Sequence, residues 1–416
     1  MKIQKKTLPN GLRILFISLP DNPTVTVEVL VRAGSLDESV KDQGISHFLE
    51  HMCFKGTTNR PTALHISREL ESLGAQSNAY TSHNHTAYYA KGQASNASKL
   101  LDIIADIYLN STFPGDEIEK EKGVIIEEMN MYKDQPDHQV DEEWSKIFFQ
   151  QGSMSRPIIG TRESVLALTQ KDFQRYHKKF YTPKNTVVVV SGSFDAVTIF
   201  SQIKKYFSKL PSVSEPKRPK TFTPKDGGKH TVISKKTDQA HLVLGVKACD
   251  MFNTDKYATS VLSCILGGGM SSRLFQQLRE QMGVAYYVYA QFSQGRDYGL
   301  FKIHAGVDKN RVKEVISVIQ KEVENIIADG VTDEELYRAK EFMIGSMYLG
   351  LESSDDFGSY FGIKEIFGLE RQLPKEREKR IRAVTKDDVR KIAQKIFTQK
   401  FTTALIGDFP KDFLSK

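Results

Sequence analysis

Alternation of apolar and other residues predicts a half-buried β-strand near the amino terminus. Four valines occupy every second position between residues 24 and 32, and a period of two places such side chains on one face of a sheet. A strand at residues 12–17 precedes it, and the residues before that strand lead into it through an Asn-Gly turn. A Val-rich strand is predicted at residues 186–192. These segments indicate a sheet in the first half of the chain.

Helical periodicity and turn residues account for the segments between these strands. The predicted order is a helix at residues 44–54, a helix at 63–73 stopped by Gly74, a strand pair near Asn78 and Tyr88, a helix at 98–110, a carboxylate-rich helix at 117–131 and long helices from Val140. The first half of the chain therefore combines helices with an antiparallel-rich sheet.

The second half of the chain repeats this order of elements. We predict a strand at residues 240–247, helices at 257–266 and 272–281, a strand pair at 285–292 and 299–305, and a helix at 311–328. The residues from Leu73 to Tyr80 align with those from Met282 to Tyr289. This weak repeat predicts an α+β fold of two related domains from an internal duplication, each an antiparallel-rich sheet packed with helices.

The length of the chain also fits two domains, because 416 residues are many for a single core. Between residues 211 and 224, four prolines occur together with Ser and Lys, which is the composition of a linker. We therefore predict a first domain at residues 1–210, a linker at 211–225 and a second domain at 226–416.

Composition excludes several classes of protein. The chain is 39% hydrophobic and 26% charged, as in an ordinary globular protein. Its net charge of +7 is not gathered into a basic stripe, which argues against nucleic acid, and no apolar stretch has the length of a membrane span. Three cysteines without Cys-x-x-Cys spacing fit a reducing compartment, and the amino terminus lacks the apolar segment of a signal peptide. We therefore expect a cytoplasmic protein.

Candidate chemistry begins with the sequence His-Phe-Leu-Glu-His at residues 47–51. On a helix, His47 and His51 lie about 40° apart around the axis, and Glu50 falls on the same side. A catalytic zinc site needs two such imidazoles, a third ligand, an open position for water and a carboxylate that takes the proton of the water. The alternative is a pair of surface histidines beside an apolar stripe. A third ligand must distinguish the two interpretations.

The candidate third ligand lies in the carboxylate-rich helix. Glu121 and Glu128 are seven residues apart, two turns of helix, and so lie on one face. One of them can bind metal while the other orients a ligand histidine through its free ring nitrogen. Glu127 points about 100° away from Glu128, so only one of this adjacent pair can belong to the site. The alternative is a solvated acidic helix.

Residues 44–57 resemble the active-site helix of the pitrilysin family, which includes insulin-degrading enzyme and the mitochondrial processing peptidase. In this family the third ligand follows the second histidine by about 75 to 80 residues, and a Glu seven residues before it supports the site. The resemblance implies that His47, His51 and Glu128 bind zinc, that Glu50 is the general base, and that Glu121 supports the site.

The resemblance extends along nearly the whole chain. Residues 77–89 are similar to the family's substrate-binding edge strand and its hairpin partner. The segment from Leu266 to Tyr286 is similar to its carboxy-terminal signature, in which an Arg and a Tyr seven residues apart hold the peptide. The residues so implied are Asn78, Ala79, Tyr80 and Thr81 on the edge strand, with Arg279 and Tyr286 in the second domain.

The resemblance implies a zinc metalloendopeptidase that hydrolyses extended or unfolded peptides inside a closed chamber. One Zn²⁺ per chain is expected, because no histidine lies between His241 and His304 where the second copy would need a zinc helix. A homodimer is expected, with Arg279 and Tyr286 serving the partner's site in trans. Two alternatives are a catalytically silent partner subunit and a peptide-binding protein without hydrolytic activity.

Two weaker patterns concern other ligands. Gly267, Gly268 and Gly269 lack the Lys-Ser/Thr and the Gly-x-Gly-x-x-Gly spacing of phosphate loops, which argues against nucleotide binding. His83 and His85 are two apart on a predicted strand, so they share a face and offer two metal ligands. A polar sheet surface is the favoured interpretation of this pair.

Overall fold

The structure is a computed structural model that describes residues 1–218, 221 and 227–415. It is a mixed α and β fold, as the sequence predicted. Within the described residues, no helix is both long enough and apolar enough to cross a membrane.

The described part of the chain contains eleven strands and fourteen α-helices. The strands are β1 (Lys2–Thr7), β2 (Arg13–Ser18), β3 (Thr24–Val31), β4 (Gln76–Thr81), β5 (Thr86–Gln93), β6 (Thr186–Gly192), β7 (His230–Ser234), β8 (Ala240–Lys247), β9 (Ala285–Gln294), β10 (Gly299–Val307) and β11 (Thr402–Gly407). The helices are α1 (Ile45–Met52), α2 (Ala63–Ser72), α3 (Ala97–Asn110), α4 (Gly115–Lys133), α5 (Pro136–Phe149), α6 (Arg162–Ala167), α7 (Gln170–Phe180), α8 (Ala196–Phe207), α9 (Lys256–Gly267), α10 (Val312–Asp329), α11 (Asp333–Leu349), α12 (Ser354–Phe367), α13 (Pro374–Arg382) and α14 (Lys386–Phe397). A π-helix spans Phe275–Gln281, and 3₁₀ turns lie at Ser35–Asp37, Ala94–Asn96, Ser153–Ser155, Pro183–Asn185 and Lys309–Arg311.

The chain folds into two compact units, each assembled from three separate segments. The first unit contains Met1–Met129, Pro157–Pro219 and Gly350–Arg371. The second contains Asn130–Arg156, Lys220–Leu349 and Gln372–Lys416. The domain boundaries proposed from the sequence stay a prediction. Of the linker proposed at residues 211–225, residues 219–220 and 222–225 lie outside the described part of the chain.

The first unit is built on a mixed sheet. Among its described residues the six strands run in the order β1-β2-β6-β3-β5-β4. The pairing of β2 with β6 is parallel and the other pairings are antiparallel, with Val31 opposite Thr86 in β5. The strand β4 pairs only with β5 and so forms one edge of the sheet.

Strand β3 is buried on both faces rather than half-buried as the valine alternation predicted. Its even-numbered side chains Thr26, Glu28 and Leu30 are at most 2% exposed. They face α12, where a Cβ added to Gly362 would lie 2.9 Å from Leu30 Cδ1. Since α12 lies more than 300 residues along the chain, the local pattern carries no sign of this cover.

The second unit contains an analogous sheet. Its described strands run in the order β7-β11-β8-β10-β9, with β7 and β11 parallel and the others antiparallel. The core combines apolar side chains of this sheet with those of α9, α10 and α14. The repeated mixture of antiparallel strands and helices confirms the predicted α+β class.

Each unit receives one helix from the other half of the sequence. Helix α12 follows the second sheet's strands β7 to β10 in sequence but packs against β3 and β6 of the first unit. Helix α5 precedes the linker but packs against β8 and β11 of the second. Its Trp144 is fully buried and donates its Nε1 hydrogen to the Thr402 carbonyl oxygen at 2.9 Å. The two compact units are therefore discontinuous in sequence.

The predicted helix at residues 272–281 has a wider turn than expected. Its main part is the π-helix, in which the Met282 N–H donates to the Gln277 carbonyl oxygen at 3.0 Å. Because π-helical hydrogen bonding is rare and confined to short stretches, the prediction from the sequence took the ordinary helical form.

The carboxyl group of Glu28 is the most deeply buried acid of the first unit, with 1% of the residue exposed. Its Oε1 accepts long hydrogen bonds from the Tyr80 hydroxyl at 3.4 Å and the Ser359 hydroxyl at 3.5 Å. Its Oε2 has no hydrogen-bond partner within the described part of the chain. Burial raises the pKa of Glu28 to about 8. The folded state therefore holds a proton that the unfolded chain releases near pH 4.5.

We expect the stability of the chain to fall as the pH rises toward 8. Because the folded pKa of Glu28 is raised, the stabilisation is complete below the unfolded pKa and is lost as the pH rises through the folded pKa. Glu28→Gln keeps a neutral side chain at every pH and should flatten this dependence between pH 6 and 9. Melting temperatures of both proteins across this range measure the difference, and parallel curves would contradict the assignment to Glu28.

Candidate metal centre

The start of helix α1 is fixed by a glycine and by a carboxylate from the preceding residues. Gly44 has φ of +85°, and a Cβ there would lie 2.6 Å from the Ile159 carbonyl oxygen, so glycine is required. The Glu38 carboxylate accepts the N–H groups of Gly44 and Ser46, both at 2.9 Å. A carboxylate at this end also compensates the helix dipole.

Burial of one face sets the rotation of α1. The buried side chains each leave 0% of the residue exposed and are Ile45, Phe48, Leu49 and Met52. Burying each such side chain is worth about 1.5–3 kcal/mol. The remaining side of the helix carries His47, Glu50 and His51, which are partly exposed. The predicted helix and its polar face are therefore present.

His47, His51 and Glu128 lie together, with one ligand atom from each within 4.8 Å of the others. The nearest Glu128 oxygens are 3.7 Å from His47 Nε2 and 3.9 Å from His51 Nε2. Tetrahedral Zn²⁺ with bonds of 2.0–2.1 Å places its ligand atoms roughly 3.3 Å apart. The ligand atoms are thus only slightly farther apart than zinc requires, and a small inward movement of the side chains would bring them to that separation.

The protonation of the two imidazoles differs. Burial, with a smaller effect of His51, lowers the pKa of His47 to about 3, so this ring is neutral and offers a lone pair. Burial acts against protonation of His51 as well, but the Glu121 hydrogen bond and the surrounding carboxylates raise its pKa overall. The same negative charge that favours a proton on His51 favours a bound cation. The donor set therefore fits a dication.

Glu121 fixes the orientation of His51. Its Oε1 accepts from His51 Nδ1 at 2.9 Å, which leaves His51 Nε2 directed toward Glu128. Its Oε2 pairs with the Lys55 ammonium at 2.5 Å. Although burial opposes ionisation, these two partners hold the pKa of Glu121 below its usual value. Histidine ligands of metals commonly donate to a carboxylate in this way.

Helix α4 supplies the two carboxylates in the predicted register. It spans Gly115–Lys133, so the predicted segment at residues 117–131 lies within it. Glu121 is 5% exposed, Glu128 is partly buried, and Glu127 is exposed. Glu127 therefore faces away from the group, as the angle along the helix indicated.

Glu50 lies beside the same group and makes one short hydrogen bond. The Thr81 hydroxyl donates to Glu50 Oε2 at 2.5 Å. Burial raises the pKa of Glu50, while the Thr81 hydrogen bond and His51 oppose the rise. A carboxylate in this environment is suited to accept a proton near neutral pH.

The segment from Asn78 to Thr81 belongs to β4, the edge strand of the first sheet. Asn78 is exposed, and its side-chain oxygen accepts the Ala79 N–H at 2.8 Å. Tyr80 directs its hydroxyl to Glu28, whereas Thr81 reaches Glu50. The free edge offers backbone groups to a further strand.

Arg279 and Tyr286 lie in the second unit, near each other, whereas the metal-ligand group lies in the first. The Arg279 guanidinium carbon is 5.2 Å from the centre of the Tyr286 ring, and Nη1 donates to the Ala285 carbonyl oxygen at 3.2 Å. Tyr286 is 69% exposed. The Tyr286 ring is therefore accessible to a ligand, and Arg279 is partly exposed beside it.

Sequence reasoning missed three contributors and misplaced two histidines. The three contributors contact α1 or residues beside it and are Glu38, Lys55 and the side chain of Thr81. Two of them had a signal in the sequence: Glu38 is an acid that precedes a helix, and Lys55 lies four residues after His51. His83 and His85 lie in the turn between β4 and β5 rather than on a strand. Their Nδ1 atoms bond to hydroxyls of Ser35 and Ser82, at 2.7 and 2.9 Å, which gives both rings structural partners.

Comparison with known proteins identifies the family. Residues 13–162 match the sequence profile described as Insulinase (Peptidase family M16), and residues 167–343 match the one described as Peptidase M16 inactive domain. An uncharacterized zinc protease of Bacillus subtilis is 35% identical over 408 residues, covering 97% of this chain and 98% of the relative. The chain belongs to peptidase family M16. The resemblance drawn from the zinc-helix motif is confirmed.

Two further proteins are similar over nearly the whole chain. An uncharacterized zinc protease of Streptomyces coelicolor is 33% identical over 411 residues, covering 97% of this chain and 89% of the relative. The crystal structure of a protease from Helicobacter pylori has a TM-score of 0.88 at 26% identity, covering 98% of this chain and 99% of that one. The inactive-domain description of the second profile accords with the absence of a zinc motif in that half.

The ligand assignment predicts a graded loss of zinc. Glu128→Gln removes a charged ligand atom and should weaken zinc binding more than Glu121→Gln, which should cost about 10- to 100-fold as an outer partner does. Glu127→Gln is the matched control on the same helix and should change little. Competition titration with a chromogenic chelator measures all three affinities. A loss at Glu127 without a loss at Glu128 would refute the assignment.

Proposed function

We propose that the chain is a zinc-dependent metalloendopeptidase that hydrolyses extended or unfolded peptides. The observation that carries the proposal is the cluster of His47, His51 and Glu128 with the carboxylate of Glu50 beside it. Two imidazoles, a carboxylate ligand and a separate base are the parts of a hydrolytic zinc site. The names of the curated relatives support the same chemistry.

Each residue of the site has a distinct part in this proposal. Bound zinc would supply Lewis acidity and lower the pKa of a water molecule. Glu50 would accept a proton from water and would later deliver it to the leaving amine nitrogen of the cleaved bond. Glu121 holds the His51 ring through Nδ1, and Lys55 holds Glu121. The His51 ring is thereby oriented before the substrate arrives.

The edge strand β4 supports a preference for extended chains. No further strand pairs with β4 beyond β5 within the described residues, and in this segment the Ala79 N–H bonds to the Asn78 side-chain oxygen, which a docking peptide could displace. A peptide that adds to this edge as a further strand is held by its own backbone, independently of its sequence. Folded substrates cannot pair in this way, because their backbone groups are already occupied.

Glu50→Gln should separate metal binding from catalysis. The amide leaves all three ligands in place, so the variant should retain zinc, but it cannot accept a proton and should lose about 100- to 10,000-fold in kcat. His51→Ala should lose both zinc and activity. Metal analysis and cleavage of a quenched fluorescent peptide library measure the two properties.

Three outcomes would contradict the proposal. Near wild-type turnover by Glu50→Gln would remove the base from the mechanism. If the zinc-loaded wild-type protein binds unfolded peptides but never cleaves them, it is instead a peptide-binding protein. If the wild-type protein takes up no zinc, it is a silent partner subunit.

We further propose a homodimer in which Arg279 and Tyr286 complete the partner's site. The exposure of Tyr286 and its contact with Arg279 support this pair as a peptide-holding element. In the larger members that the chain resembles, zinc belongs to one half and the Arg and Tyr to the other. A dimer that closes around a chamber would impose an upper size on its substrates.

Subunit mixing tests completion in trans. A Glu50→Gln chain and an Arg279→Ala/Tyr286→Phe chain should each be inactive alone. In a random mixture, half of the dimers are mixed and each holds one complete site, so about a quarter of wild-type activity should return. Subunit exchange is verified independently by tagged chains in native mass spectrometry. No recovery after verified exchange would indicate a site completed within one chain.

A further inference from the structure

The geometry points to Thr81 as a positioning residue for the proposed peptidase reaction, whose hydroxyl holds Glu50 in the orientation needed for proton transfer. This inference rests on the proposed function and extends it from the edge strand's backbone to a side chain. The hydroxyl donates to Glu50 Oε2 at 2.5 Å. Within the described residues it is the only group that hydrogen-bonds to this carboxylate.

The bond distinguishes the two oxygens of Glu50. Oε2 is engaged by Thr81, so Oε1 remains the oxygen that can take a proton. Without a partner, a glutamate carboxylate on a helix rotates about its terminal torsion, which has a broad energy well. A base that must lie within hydrogen-bond reach of the reacting proton loses efficiency when it samples other orientations.

The hydroxyl of Thr81 is itself rigidly held. Thr81 ends β4 and lies opposite Thr86 in the β5 register. Threonine is stiff about χ1 because it branches at Cβ. The Thr86 hydroxyl donates to the Ala33 carbonyl oxygen at 2.9 Å, and the Ser82 N–H donates to the His85 carbonyl oxygen at 2.8 Å, which fixes the turn that follows. The donor is therefore presented from a well-ordered hairpin.

The position of Thr81 links substrate docking to the base. A peptide that adds to β4 pairs with the same backbone that carries the Thr81 side chain. Tyr80, the preceding residue, points its hydroxyl to Glu28. Successive side chains of a strand lie on opposite faces, so Thr81 is the residue at this end of β4 that can reach α1. A peptide added to β4 would therefore lie directly beside the residue that orients Glu50.

Three substitutions separate this role from a structural one. Thr81→Val keeps the shape and the branching but removes the hydroxyl, and should lower kcat about 10- to 100-fold with KM within twofold. Thr81→Ser retains the hydroxyl and should recover most of the lost kcat. Thr7→Val is the control: it makes the same change in an exposed threonine at the end of β1, the opposite edge strand of the sheet, and should leave kcat near the wild-type value. All variants should retain one zinc per chain.

Two measurements without turnover accompany the kinetics. In crystal structures of the zinc-loaded proteins, Glu50 should hold one orientation in the wild type and more than one in Thr81→Val. In a Glu50→Gln background, Thr81→Val should leave the dissociation constant of an unfolded peptide within twofold. Four results would each overturn the inference. Two are kinetic: wild-type kcat in Thr81→Val, or an equal loss of kcat in Thr81→Val and Thr81→Ser. The other two are peptide binding that Thr81→Val weakens tenfold, and a Glu50 orientation that Thr81→Val leaves unchanged. If the wild-type protein is inactive but Thr81→Val still changes the orientation of Glu50, the peptidase function alone would be refuted.

Discussion

The packing of α1 by its apolar face is the constraint on which the candidate site depends. Phe48 and Leu49 are wholly buried, and this fixes the rotation of the helix to within the tolerance of a well-packed core. The side chains of His47 and His51 must then point away from the buried face. A Phe48→Ala cavity would cost about 3–5 kcal/mol and would also release the face that holds both rings.

Charge accumulates around this fixed face. Three carboxylates, those of Glu50, Glu121 and Glu128, act on His51. Lys55 balances one of them, and a neutral His47 adds no positive charge. Excess negative charge in a partly buried site is costly unless a cation compensates it. A cation bound among these carboxylates would therefore stabilise the arrangement.

The sequence predicted those features that depend on short spacings. His47 and His51 share a face because they are four apart on one helix, and Glu121 and Glu128 do so because they are seven apart. The approach of α4 to α1 came from resemblance, since no local pattern specifies which helices pack together. The Thr81 hydrogen bond joins residues 31 apart, and its strand register determines it. The cover of β3 by α12 escaped prediction for the same reason.

The exchange of α5 and α12 has a mechanical consequence. Each sheet is covered by a helix that belongs to the other half of the sequence. Separating the two halves would therefore remove a helix from both cores. Trp144 would leave its place near β11, and the glycine-lined contact of α12 with Leu30 would open. Separating the two halves of the sequence would therefore disturb both units. A nick in the linker would leave two fragments that each retain an element the other needs.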